Sequence, residues 1–167
     1  MRPKVFLSST FSDLVALRAS VATSLEYWGY EPIFFESDNF PKKPNLRADD
    51  MCLEAVKQCH LFLLAIDKNY GSPYKGEDRS LYGISVTEAE AKVAFECHKE
   101  VFSFVRRNTW EQWKVYGRDK KYKSPDVEPR VFEFIDWVID QRRDNWIDAF
   151  HDVEELKRKL RPPSATE

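Results

Sequence analysis

The run HLFLLAI at residues 60–66 decides the fold. Leu61, Phe62, Leu63, Leu64, Ala65 and Ile66 follow one another without a polar interruption. A strand with one wet face alternates, so an unbroken run reads as a central parallel strand covered by helices on both sides. Parallel neighbours need crossover connections, and the flanking sequence supplies them on each side. Upstream, residues 4–7 form a short apolar run. From Asp13 the apolar positions Leu14, Leu17, Val21, Leu25 and Trp28 keep a helical period that Gly29 ends. A second strand pattern covers 31–35 and a second helical pattern covers 46–58. Downstream, a loop over 67–84 holds three of the five glycines and leads into a helix over 85–98, which Ser85 or Thr87 can cap. Strand patterns at 101–105 and 145–150 and helical patterns at 131–139 and 152–160 complete the series. The alternation predicts an α/β, flavodoxin-like three-layer sandwich around a central, mainly parallel five-stranded sheet.

The 167 residues suit one domain, expected over 1–160, with 161–167 starting a linker or a disordered tail. At 43% hydrophobic and 32% charged residues the chain is too apolar for disorder and too often interrupted by charge for a membrane span. A net charge of -2 provides no global field for a nucleic-acid backbone or an anionic bilayer, so neither is expected as a partner. Residues 106–123 are the local exception, with seven Lys or Arg against two acids and Trp110, Trp113, Tyr116 and Tyr122 interleaved. They belong to a basic aromatic insertion over 106–128, which reads either as a nucleic-acid or phosphate contact or as a solvated helix and loop. Cys52, Cys59 and Cys97 stand at wide spacing, which argues against a disulfide framework and a zinc site. His60, His98 and His151 lie far apart and give a histidine metal site or a Ser-His-Asp triad little to work with. Met1, Arg2 and Pro3 lead straight into strand-like sequence, which leaves no room for a secretory signal and makes a cytoplasmic protein the expectation.

In a sheet of this order, ligands bind beyond the carboxyl ends of the first and third strands. The first loop offers Ser8, Ser9, Thr10 and Ser12 before a helix N-terminus, which favours a phosphate or carboxylate, although Asp13 can also serve as that helix's own cap. Neither G-x-G-x-x-G nor a Walker pattern is present. The third loop brings Asp67, Tyr70, Gly71, Tyr74, Arg79 and Tyr82, then Ser85, Thr87, Glu88 and Glu90. Rings beside hydroxyls and acids suit a nucleotide base and ribose. Glu88 and Glu90 are two positions apart, about 200° around a helix, so they face different ways.

KVFLSSTFSDL at 4–14, Arg18, the acid Glu36 at a strand end, KNYG at 68–71 and SVTEAEAKVA at 85–94 occur together and in order. The set resembles the domain of unknown function 4062 family, a relative of Toll/interleukin-1 receptor (TIR) domains. The resemblance implies a TIR-like signalling or effector domain, N-terminal to NACHT or related NTPase and repeat regions in an immune or antiphage protein. Enzymatic TIR domains carry a catalytic glutamate at the start of the helix after the third strand. Glu90, followed by Ala91 and Ala94, matches it, with Glu88 as the alternative, and Ala91 departs from the aromatic residue usual there. The implied chemistry is cleavage of the N-glycosidic bond of NAD, with NAD as substrate, no other cofactor and no metal. Ser8, Ser9, Thr10, Asp13, Glu36, Tyr70, Gly71, Ser85 and Thr87 are the implied substrate-binding set. The competing expectations are a non-catalytic module that self-associates or meets fused domains, and a nucleotide sensor without turnover.

Overall fold

The computed structural model describes residues 1–10, 14–141 and 146–165. Five strands, β1 (Lys4–Ser9), β2 (Glu31–Ile33), β3 (Leu61–Ile66), β4 (Glu100–Arg106) and β5 (Ile147–Phe150), form one sheet in the order β2-β1-β3-β4-β5. All four pairings are parallel; Phe6 stands opposite Ile33 on one side and Phe62 on the other. This is the flavodoxin-like order, with the reversal between β1 and β3. Phe62 to Ile66 are all buried, as a strand covered on both faces requires.

Helices α1 (Val15–Tyr27) and α6 (Val153–Leu160) cover one face, where Leu17, Val21, Leu25 and Leu156 meet Val5, Leu7, Leu63 and Phe104. Helices α2 (Ala48–Gln58), α3 (Val86–Glu96) and α5 (Pro129–Asp140) cover the other, where Val56, Ala94 and Ile135 meet Phe6, Phe62, Leu64 and Val105. Ser85 caps α3 by accepting from the Glu88 N–H at 3.1 Å, and Asp152 caps α6 in the same way through Glu155. Strand β2 stops at Ile33, short of the 31–35 expected from sequence, because it is an edge strand whose partner among the described residues, β1, pairs with Glu31 to Ile33.

The connection from β4 to β5 contains helix α4 (Arg107–Arg118) ahead of α5. Its rings account for the basic aromatic stretch. Trp110 and Trp113 stack at 4.8 Å, Tyr116 stacks on Phe132 of α5 at 4.9 Å, and the Trp113 indole donates to Asp136 at 2.9 Å. Lys120 pairs with Asp136 at 3.2 Å and lies over the Tyr116 ring. The aromatic side of α4 is therefore packing surface, and its basic residues stand on the outer side. Residues 161–165 turn back on themselves, with Arg161 Nη2 donating to the Ala165 carbonyl at 2.9 Å. Among the described residues no helix is long and apolar enough to cross a membrane.

Candidate functional site

A cleft of about 210 Å³ opens at the carboxyl ends of β1 and β3. It sits where the strand order reverses. Ser9 ends β1, Arg18 rises from α1, Glu36 follows β2, and Asp49 and Cys52 come from α2. Gly71 and Ser72 follow β3, and Val86, Thr87 and Glu90 come from the first turns of α3. Phe6 and Phe35 supply apolar wall.

Glu90 is the central group. It is 6% exposed, and its Oε1 accepts from the Ser8 hydroxyl at 2.8 Å. Burial pushes its carboxyl up to about 8; the Ser8 hydrogen bond, the Arg18 charge and a hydrogen bond from the Cys52 thiol pull the other way, and the charge of Asp49 adds to the rise. The Cys52 thiol is itself pushed up, first by burial and then by Glu90, Asp49 and Glu36, so it is a neutral donor. Arg18, 5% exposed, holds the first loop to the second strand's end. Its guanidinium donates to Ser9 Oγ and Glu36 Oε1, and at 3.5 Å to the Thr10 carbonyl.

Ser9, Glu36, Gly71, Thr87 and Glu90 thus share one cleft, and Ser8 stands behind Glu90. Gly71 has φ +97°, and a Cβ there would lie 3.6 Å from Thr10 Cγ2 and 3.7 Å from Thr87 Oγ1, so this turn brings the first and third loops together. Thr10 is buried, and its hydroxyl has no hydrogen-bond partner among the described residues. Asp13 and Ser12 lie outside the described residues.

Tyr70, Ser85 and Glu88 form a separate cluster beside the cleft. The Tyr70 hydroxyl donates to Glu88 Oε2 and accepts from the Ser85 N–H at 3.2 Å and from Arg130 Nη2 at 3.1 Å. Arg130 also stacks on the Tyr70 ring at 4.1 Å, and burial followed by the Glu88 bond raises the phenol to about 12. The two glutamates point apart, as their spacing requires, with Glu90 facing the cleft and Glu88 bound to Tyr70. The other loop aromatics are structural. The Tyr74 hydroxyl donates to Asp50 at 2.6 Å and that of Tyr82 to the Gly76 carbonyl at 2.8 Å.

Sequence reading left out Asp49 and Cys52. Their spacing of three on α2 puts them on one helix face, which was the available signal, but only the adjacency of β2 and β1 turns that face toward Glu90. Among the described residues no three His, Cys, Asp or Glu side chains are grouped to hold a metal ion.

The sequence profile of a family described as "Domain of unknown function (DUF4062)" matches residues 4–162. No curated protein matches the chain. Among solved structures, the CMP N-glycosidase of Clostridium botulinum aligns with a TM-score of 0.49 at 16% identity, over 94% of this chain and 96% of that one.

Proposed function

This chain belongs to the DUF4062 family, and we propose that it cleaves the N-glycosidic bond of NAD or a related nucleotide, with Glu90 as the catalytic carboxylate. The observation that carries the reading is the Glu90 carboxyl, buried at the switch-point cleft and held by Ser8 at 2.8 Å. In the proposed reaction the C1′–N bond breaks with both electrons leaving on nicotinamide, which departs neutral. The positive charge moves from the pyridinium ring to the ribose as an oxocarbenium ion, and water then adds at C1′ and releases a proton. A fixed carboxylate beside C1′ stabilises that charge, and in a dry site such stabilisation counts for more than in water. A cationic ring next to Glu90 opposes the effect of burial and favours the ionised form.

The rest of the cleft supports a cationic substrate. Glu36, Asp49 and Glu90 line it against one guanidinium, Arg18, which is paired with Glu36. Phe6, Phe35 and Val86 offer apolar surface for a flat ring. The setting we propose, a cytoplasmic signalling or effector domain that self-associates or is fused to NTPase and repeat regions in immune or antiphage defence, rests on the sequence resemblance.

The test is loss of intact NAD and release of nicotinamide by the purified domain at high concentration and tethered into an assembly, beside Glu90→Gln. That substitution removes the charge and nearly keeps the shape. Turnover that disappears in Glu90→Gln supports the reading. No turnover in either format overturns it and leaves a non-catalytic interaction module.

A further inference from the structure

The cleft holds a second carboxylate with a defined partner and a vacant acceptor. Glu36 lies three residues beyond the end of β2, the strand beside β1. Its Oε1 accepts from Arg18, which also grips Ser9 Oγ and the Thr10 carbonyl. The acid is therefore fixed to the β1 loop and does not swing freely. Its Oε2 has no hydrogen-bond partner among the described residues, and its side chain is 27% exposed where it lines the cleft. Glu90 is 6% exposed and has Ser8 on Oε1. The two acids face one space of about 210 Å³. That is smaller than the ~300–1,000 Å³ of pockets that enclose a whole drug-sized ligand, and it suits one sugar ring with base and phosphate reaching outward.

From this arrangement we infer that Glu36 is the specificity-determining residue for the sugar, accepting the 2′- and 3′-hydroxyls of the ribose whose C1′ faces Glu90, and so selecting ribonucleotides over 2′-deoxyribonucleotides. The inference rests on the glycosidase reading above and divides the labour between the acids: Glu90 meets the developing charge and Glu36 the diol. Dinucleotide folds use an acid after the second strand in a comparable way on the ribose, and a carboxylate has lone pairs enough for Oε1 to hold Arg18 while Oε2 accepts from the sugar. A carboxylate built to receive a hydroxyl discriminates strongly against the analogue that lacks it, since that analogue leaves the desolvated acceptor without a donor. Arg18 makes the site rigid, which sharpens the selection.

The experiment measures binding of nicotinamide mononucleotide and its 2′-deoxy counterpart by calorimetry, in Glu90→Gln protein so that nothing turns over. Glu36→Gln is then added to that background, and Glu36→Asp serves as a second variant that keeps the charge on Arg18 but withdraws the acceptor by one methylene. The expected result is a ribose preference of at least about tenfold that collapses toward unity in Glu36→Gln and falls part-way in Glu36→Asp. The 2′-deoxy ligand keeps only its 3′-hydroxyl contact and should weaken less than the ribose ligand in both Glu36 variants. Equal weakening of both ligands, or an undiminished preference, overturns the inference and leaves Glu36 as the structural partner of Arg18, with the glycosidase reading intact. Failure of the Glu90→Gln protein to bind either ligand overturns the inference and the glycosidase reading together.

Discussion

The Ser8 hydroxyl donates to Glu90 Oε1 at 2.8 Å, tying the carboxyl end of β1 to the first turns of α3. Both residues are buried, so this hydrogen bond carries more of the carboxylate's stabilisation than a surface one could. Ser8→Ala leaves the burial in place and removes a donor that favours the ionised form. The Glu90 carboxyl should then titrate above its present value of about 8. Carbon-detected NMR titration of the Glu90 side chain reads this directly, and an unchanged midpoint would show that Ser8 does not tune the acid. The fold should lose about 1–3 kcal/mol, because the buried Oε1 is left without its donor.

Glu90 also sets a pH dependence of stability. Its carboxyl is raised from an ordinary 4.5 to about 8 in the folded chain. Between those values the native state holds a proton that the unfolded chain has released, so stability falls as pH rises, and the full penalty is present above the folded value. Glutamine has no proton to lose. Glu90→Gln should gain on the wild type from about pH 5 to about pH 9, by on the order of a few kcal/mol at the alkaline end. Urea midpoints of both proteins at the two pH values decide it; a constant difference means that Glu90 is already ionised in the native state.

Among the described residues Arg18 holds three partners, spread as a planar fork spans them: Ser9 Oγ, the Thr10 carbonyl and Glu36 Oε1. Lysine keeps the charge but offers a single point of donation. Arg18→Lys should cost about 2 kcal/mol, less than the ~3–5 kcal/mol of a broken buried pair because lysine keeps the charge and Glu36 keeps 27% exposure. Chemical denaturation gives the cost. An unaffected midpoint would mean that the first loop is positioned without the guanidinium.

The sequence made the sheet readable because β3 has no polar residue to break its run, and the Ser85 cap readable because a hydroxyl stands directly ahead of helical periodicity. It also separated Glu88 from Glu90, since two positions on a helix cannot share a face. Local pattern failed where the partner was distant. Trp110, Trp113 and Tyr116 recur every three residues as a packing stripe would, yet the helix that Trp113 and Tyr116 meet begins at Pro129, and without it the stretch reads as a basic contact or as a solvated helix and loop. The same holds for Asp49 and Cys52, whose helix follows β2 while their cleft partner Glu90 lies on the helix after β3. Tyr70 was readable as a site-loop residue, but its hydroxyl serves Glu88, Ser85 and Arg130, and Arg130 is sixty positions away.

Under the proposed reaction, the pH profile of turnover separates two kinds of N-glycoside. Nicotinamide leaves a pyridinium substrate as a neutral molecule and needs no proton, so the useful form of Glu90 is the carboxylate. A nucleoside with a neutral base must be protonated as it leaves, so there the useful form is the acid. With the free carboxyl near 8, kcat/KM for NAD should rise with pH and level off above that value, whereas kcat/KM for a neutral-base nucleotide should fall over the same interval. Ser8→Ala should move either inflection upward, which links it to this acid and not to another group in the cleft. A profile for NAD that falls through the inflection contradicts Glu90 acting as the charge-stabilising anion and reassigns it as the proton donor.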